Sequence, residues 1–256
     1  MKRLMAAMSV ATAAAAVALS GWPTAARASA PMIHVGAMYE YAEPGMGALL
    51  KRVRNSGDAT AFVRVQISEV RYAADGTFQE VPVDHASTAA AAAGLVASPS
   101  RLIVPAQGQQ ATRLLVRGDR SRERYYRVRF VPVLPQTEDE FALTDAQRDD
   151  YRRELSAGVN VLTGYGVFVI VHPDPARYDV QTETESDHVL LRNAGNATVV
   201  LDDVRQCSGN DKAACSPSRK IHLLPARTER FPKGDGQVHR FQIVEGDGRK
   251  DVLLGP

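Results

Sequence analysis

Residues Ala61 to Tyr72 read AFVRVQISEVRY. Phe62, Arg64 and Gln66 alternate with Val63, Val65 and Ile67. Successive side chains of a strand point to opposite faces, so this period of two marks a β-strand with an apolar face turned to a core. The neighbouring segments repeat the signal. Upstream, Asn55-Ser56-Gly57-Asp58 is a turn, Ala48 to Asn55 (ALLKRVRN) a second strand, and Met32 to Tyr41 an extended segment ended by Glu43-Pro44-Gly45. Downstream, Ala74-Asp75-Gly76 turns the chain into Phe78 to Val83, and the Ala-rich run Ala86 to Ala97 reads as a loop, with a helical turn as the alternative. Ser100 to Pro105 and Ala111 to Val116 flank a turn at Gln107-Gly108. Tyr125 to Val133 (YYRVRFVPV) alternates again, with Tyr126, Val128 and Phe130 on one face.

The pattern then breaks. Gln136 to Gly158 is polar, with Thr144-Asp145 as an N-cap and Gly158 as a stop, which predicts a short helix in a long surface loop. Val159 to His172 (VNVLTGYGVFVIVH) reads as one long strand, and the glycines of Gly164-Tyr165-Gly166 mark a bulge or bend within it. Pro173-Asp174-Pro175 closes it and reads as a domain boundary. Beyond it lie Asp187 to Arg192, Ala197 to Asp202, Lys220 to Leu224, Arg227 to Phe231, Val238 to Val244 and Val252 to Leu254, separated by Gly- and Asn-bearing turns. Short strands at that spacing predict a second sandwich.

The N-terminus sets the compartment. Lys2 and Arg3 precede an apolar run from Leu4 to Leu19, and small residues follow at Ala26-Arg27-Ala28. This is the plan of a secretory signal peptide, with cleavage expected after Ala28, or after Ala30 as the second choice. The run is short for a membrane span, which needs about 20 apolar residues. The expected organisation is a leader over 1–28, a first domain over 29–173 and a second over 174–256. Cleavage removes Lys2, Arg3 and Arg27, so 31 basic residues become 28 against 29 acidic ones and the net charge is −1. That balance gives no reason to expect nucleic acid or an anionic membrane as partner.

Cys207 and Cys215 both fall in the exported part, where an oxidising compartment favours a disulfide. Closing so short a loop contributes roughly 2–3 kcal/mol on the chain-entropy model. A metal site is the weaker reading, because no histidine lies near them at ligand spacing. The six histidines are scattered, and no G-x-S-x-G, P-loop or H-E-x-x-H occurs. Asp149/Asp150 and Asp202/Asp203 sit in polar, turn-like surroundings as solvated pairs. Arg117-Gly118-Asp119 reads as a turn after a strand. The expectation is a protein without catalytic chemistry, cofactor or metal.

The run SRLIVPAQGQQATRLLVRGD, then RERYYRVRFVPV, then a long loop and VNVLTGYGVFVIVHP, resembles the first domain of the periplasmic chaperones of the chaperone–usher pathway. Pro105, Gly108, Arg113, Leu114, Tyr125 and Pro132 carry the likeness over about Ile33 to Pro173, with a looser echo to Leu254. The glycine-bearing strand and long loop are more similar to the alternative class of the common pilus and colonisation-factor pili. The resemblance implies an all-β fold of two immunoglobulin-like β-sandwich domains at an angle, with a cleft between them. It implies a periplasmic protein that caps pilus subunits by donating a β-strand and delivers them to an outer-membrane usher, without a cofactor. The family's donor row falls on Val159, Val161 and Thr163. The main class also anchors the subunit's terminal carboxylate with an Arg and a Lys, and here those positions are Met38 and Phe168. The anchor is therefore moved or missing, and Arg127 and Arg129, on the strand expected beside Val159 to His172, are its candidates. Two other readings stand beside this one: a pilus subunit or adhesin, and a periplasmic sandwich enzyme or ligand-binding protein.

Overall fold

The structure is a computed structural model, and it describes residues 30–73, 75–83, 94–137, 141–156, 161–208 and 214–255. The expected leader, Gly158 and Val159 lie outside these residues. The strands in chain order are β1 (Ile33–His34), β2 (Tyr39–Ala42), β3 (Ala48–Asn55), β4 (Ala61–Tyr72), β5 (Phe78–Pro82), β6 (Gly94–Ser98), β7 (Arg101–Val104), β8 (Gln109–Arg117), β9 (Arg124–Pro132) and β10 (Tyr165–Val171). They form one sheet in the order β1-β3-β8-β6 and a second in the order β2-β10-β9-β4-β5, with β7 also on β4. Val63, Val65 and Ile67 are buried between the sheets with Val53, Leu95, Leu114, Tyr126, Val128, Phe130, Val167 and Val169. The two alternating strands thus bury the faces their sequences predict.

A second sandwich follows. It comprises β11 (Val180–Thr184), β12 (His188–Asn193), β13 (Val199–Ser208), β14 (Arg219–Leu223), β15 (Thr228–Pro232), β16 (Gln237–Glu245) and β17 (Gly248–Leu254). Its sheets run β11-β12-β15 and β14-β13-β16-β17 around Val189, Leu191, Leu201, Phe231 and Phe241. Cys207 and Cys215 are joined in a disulfide at the end of β13. Among the described residues, no helix is long and apolar enough to cross a membrane.

Three elements differ from the sequence reading. The segment Met32 to Tyr41 is not one strand: β1 pairs with β3 in the first sheet, and β2 runs parallel to β10 in the second. Gly36, at φ 71°, makes the break. The buried Lys51 then holds the crossing chain, with Nζ 2.5 Å from Ala37 O and 2.6 Å from Glu40 Oε1. The Ala-rich run ends in a strand, β6, which pairs with β8 and buries Leu95 and Ala97; residues 84–93 are outside the description. β11 was not expected at all, and its burial is low enough that no hydrophobic alternation announces it.

The predicted helix is present as α1 (Asp145–Ser156). Thr144 caps it: Gln147 N donates to Thr144 Oγ1 at 3.2 Å, and Thr144 N donates back to Gln147 Oε1 at 2.8 Å. This is the reciprocal capping box. Tyr151 and Leu155 are buried on Phe62, together with Ala59 and Phe141. Phe62, on the polar-patterned face of β4, is covered by this helix.

Candidate functional site

β10 is the strand on which the sequence reading turned. β9 flanks it along its whole length, from Tyr165 opposite Phe130 to Val171 opposite Arg124. On its other side β2 begins only at Phe168, whose N–H donates to Met38 O at 2.8 Å. Backbone groups alternate sides along a strand, so the even-numbered residues before Phe168 turn theirs to an edge that no described strand covers. Such an edge is a template for pairing with another chain.

The expectation of a single strand from Val159 to His172 is corrected here. β10 starts at Tyr165, and Val161–Gly164 lies outside any strand. The register gives the reason. With Tyr165 opposite Phe130, the residue opposite Thr163 is Pro132. Odd-numbered residues of β10 bond to β9, and proline has no N–H to give there. Gly164 adds a close approach: a Cβ on it would stand 3.1 Å from Phe130 O. The core-facing row is Val171, Val169 and Val167, all buried, then Tyr165 packed at the rim of the core. The same row leaves the sandwich at Thr163, which is exposed, and Val161, which is 75% exposed. Val159, the first of the expected donor residues, is outside the described residues.

The even-numbered face of β10 looks out of the sandwich. Phe168 stacks with Tyr125 at 6.3 Å and meets Tyr39 at 6.0 Å, and Tyr72 stands edge-on to Tyr125 at 5.2 Å. Burial, then the nearby Glu123, pushes the Tyr125 hydroxyl well above its usual pKa. Arg127 lies opposite Phe168 and Arg129 opposite Gly166, as the strand order expected from sequence requires. Both guanidiniums converge on one carboxylate that the sequence reading missed, Glu80 of β5. Arg127 Nε is 2.9 Å from Oε1 and Arg129 is 2.6 Å from Oε2. No local motif marks Glu80; only the pairing of β5 with β4 carries it there.

The second sandwich closes on this face. Tyr41 Oη and His222 Nε2 are hydrogen-bonded at 2.7 Å, and Tyr39 stacks on the same imidazole at 4.1 Å. Burial, then Lys220, pushes the His222 pKa down to about 4, while burial followed by Asp202 raises Tyr41 to about 12. Arg227 donates to Ala73 O at 2.6 Å. Behind the cleft, Glu123 accepts from Thr198 N at 2.6 Å and from Tyr125 Oη at 2.6 Å, and His172 Nδ1 stands 2.7 Å away. Among the described residues, Glu185, Asp187 and His188 form a compact set of metal-ligand types. Arg230 already fills it, 2.8 Å from Asp187 Oδ2 and 3.0 Å from His188 Nδ1.

No protein-family model matches the chain. It is 27% identical over 225 residues to a protein of Klebsiella pneumoniae subsp. pneumoniae named "Probable fimbrial chaperone EcpB", covering 87% of this chain and 91% of that one. An Escherichia coli O139:H28 protein of the same name is 25% identical over 226 residues, again over 87% and 91%. The chain is similar in sequence to proteins named as fimbrial chaperones. Its fold agrees. The crystal structure of the class 5 fimbriae chaperone CfaA superposes with a TM-score of 0.56 at 16% identity, over 88% of this chain and 100% of that one. The E. coli chaperone DraB gives 0.52 at 15% identity, over 89% and 100%. These two likenesses show the two-domain β-sandwich architecture and nothing about the individual site residues.

Proposed function

We propose that this chain is a periplasmic chaperone that caps pilus subunits by β-strand addition and passes them to an outer-membrane usher. The donor segment is Val159, Val161 and Thr163, in the sequence that precedes β10. The observation that carries the reading is the half-covered edge of β10. Its core-facing row runs out of the sandwich into Val161, at 75% exposure, with no described strand beside it. A subunit lacking its own last strand would take this segment into its groove, gaining main-chain hydrogen bonds and alternating apolar contacts. The step draws its free energy from that pairing and burial, so no cofactor enters it.

The reading extends to the cleft. Arg127 and Arg129 share one carboxylate, Glu80, and the local charge is therefore positive by one. A subunit's terminal carboxylate is the complementary ligand, and arginine holds a carboxylate in a fork. The domain division at Pro173–Pro175 and the leader over 1–28 belong to the same proposal.

The experiment is co-expression in the periplasm with a tagged pilus subunit from the same gene cluster, followed by pull-down. Wild type should be recovered in a one-to-one complex, and Val159→Asp/Val161→Asp should not. Equal recovery of the double variant would remove strand addition at this segment. Loss on Arg127→Ala/Arg129→Ala, with the melting temperature retained, would support the anchor; equal recovery would remove it.

A further inference from the structure

The outer face of the first sheet, β1-β3-β8-β6, carries a row of arginines. In β3, Lys51 and Val53 are buried, so Leu50, Arg52 and Arg54 point outward, and all three are exposed. In β8, Thr112 and Leu114 are buried, so Ala111, Arg113, Leu115 and Arg117 point outward. The register sets Leu50 opposite Arg113, Arg52 opposite Ala111 and Ala48 opposite Leu115. On the other side of β8, Val96 of β6 faces Leu115. The arginines therefore follow one line along the two strands, about 27 Å from Arg54 to Arg117 at about 3.4 Å per residue.

Nothing in the sheet balances that charge. Its four strands contain no Asp or Glu. Among the described residues, no carboxylate pairs with Arg52, Arg54, Arg113 or Arg117. In the flanking turns, Asp58 accepts from Gln107 Nε2 at 3.2 Å and Asp119 from Ser121 N at 2.9 Å. The second sheet differs: Arg71 and Arg124 pair with Glu69, and Arg127 and Arg129 with Glu80. The chain as a whole has 31 Lys and Arg against 29 Asp and Glu, so the row is a local excess. Like charges on neighbouring positions of a sheet repel. Folding gains nothing from the row, and a ligand of opposite charge would relieve it.

We propose that this face docks a protein partner that presents carboxylates to Arg52, Arg54, Arg113 and Arg117, and that the partner is the outer-membrane usher receiving the loaded chain. The composition selects a protein. Apolar side chains lie among the arginines: Leu50 is 53% exposed, and Leu115 and Val96 are half-buried on the same face. The outward positions of β3 and β8 carry arginine and no lysine. Arginine is enriched and lysine depleted at protein–protein interfaces, whereas a phosphate surface takes either. The location selects the usher. Both layers of the sandwich separate this face from the outward side of β10, so a subunit held at the β10 edge and the cleft leaves it open. The identity of the partner rests on the strand-addition reading; the uncompensated row does not.

The test titrates the purified chain, loaded with a pilus subunit, with the purified periplasmic domains of the usher from the same gene cluster. Wild type should bind, with an affinity that falls several-fold between about 50 and about 300 mM salt as screening shortens. Arg52→Glu/Arg113→Glu should weaken binding at least about tenfold and flatten the salt dependence, with melting temperature and subunit recovery unchanged. Arg54→Glu/Arg117→Glu should do the same, so that poor folding of one pair leaves the other to decide. Arg52→Lys/Arg113→Lys keeps the charge and should stay within about fivefold of wild type. Reversal variants that bind as wild type does overturn the proposal, as does a wild type that does not bind. Phosphatidylglycerol vesicles are titrated in parallel: charge reversal that abolishes vesicle binding but spares usher binding assigns the row to lipid and overturns the partner. Strand addition is read separately, by subunit recovery with Val161→Asp. If that variant recovers the subunit normally, strand addition fails. The usher titration is then read on the empty chain, where loss on charge reversal upholds the face and no loss overturns it.

Discussion

Thr198 donates its backbone N–H to the Glu123 carboxylate at 2.6 Å, tying the second sandwich to the first. His172 and Tyr125 approach the same carboxylate from the first sandwich at 2.7 and 2.6 Å. The Glu123 side chain is only 3% exposed, so water cannot replace it. Glu123→Ala would leave these buried donors without acceptors, at about 1–3 kcal/mol for each group stranded. The expected outcome is a melting temperature lower by several degrees and a wider distribution of interdomain angles in small-angle scattering. Glu123→Gln should lie between, since its amide nitrogen cannot accept. Unchanged melting and scattering in Glu123→Ala would reject the tie.

Arg120 makes a tie within the first sandwich, to carbonyls only. Its guanidinium donates to Met46 O at 2.9 Å, Ala42 O at 2.7 Å, Glu43 O at 2.9 Å and His172 O at 2.7 Å. Ala42 ends β2, Glu43 and Met46 lie between β2 and β3, and His172 follows β10, so Arg120 closes the sheet where the chain leaves the first sandwich. Lysine offers one compact charge in place of a planar fork. Arg120→Lys should therefore destabilise by about 1–3 kcal/mol in urea unfolding, comparable to the loss of charge-assisted hydrogen bonds. A lysine variant as stable as wild type would mean the fork geometry is unused.

His222 makes the fold sensitive to acid in one direction. Its pKa is held near 4 in the fold against 6.5 when free, because burial and the neighbouring Lys220 oppose its charge and Asp202 only partly offsets them. Below pH 6.5 the unfolded chain binds a proton that the folded chain refuses, so stability falls as pH drops toward 4 and is flat above 6.5. One such proton gives at most about 1.4 kcal/mol per pH unit, and partial exposure of the ring reduces the total to about 1–2 kcal/mol. Urea midpoints between pH 7.5 and 5 should fall in wild type and fall less in His222→Phe. Parallel profiles for the two would remove His222 as the cause.

The alternating strands were legible because burial of one face writes itself into the sequence with a period of two. Val63, Val65 and Ile67, and Tyr126, Val128 and Phe130, needed nothing else. The limits of β10 were harder, because what stops its pairing is Pro132 on a different strand, visible only once Tyr165 is known to face Phe130. The split of Met32 to Tyr41 at Gly36 is held by Lys51 reaching across from β3. Glu80 and Glu123 carry no local signature, since each becomes special by the donors that distant strands bring to it. Arg127 and Arg129 could be placed beside β10 from sequence order alone, but their shared carboxylate could not. Phe62 read as part of a polar face until α1 covered it.

Val161 and Val167 separate binding from folding within one row. They share the core-facing parity of β10, yet Val161 is 75% exposed and Val167 is fully buried. An exposed substitution away from packing changes stability by about 0.5 kcal/mol or less. Val161→Asp should therefore melt as wild type does, while losing recovery of a pilus subunit in pull-down, because an ionised carboxylate cannot enter an apolar groove unpaired. Val167→Ala removes two methyl groups from a packed core and should cost about 1–3 kcal/mol by the logic of large-to-small replacements. At temperatures where it remains folded it should still recover the subunit, since its side chain faces the core of its own sandwich. If both variants lost binding in proportion to their loss of stability, the row would be acting only as core. A selective loss at Val161 would locate the donor where the row leaves the sandwich.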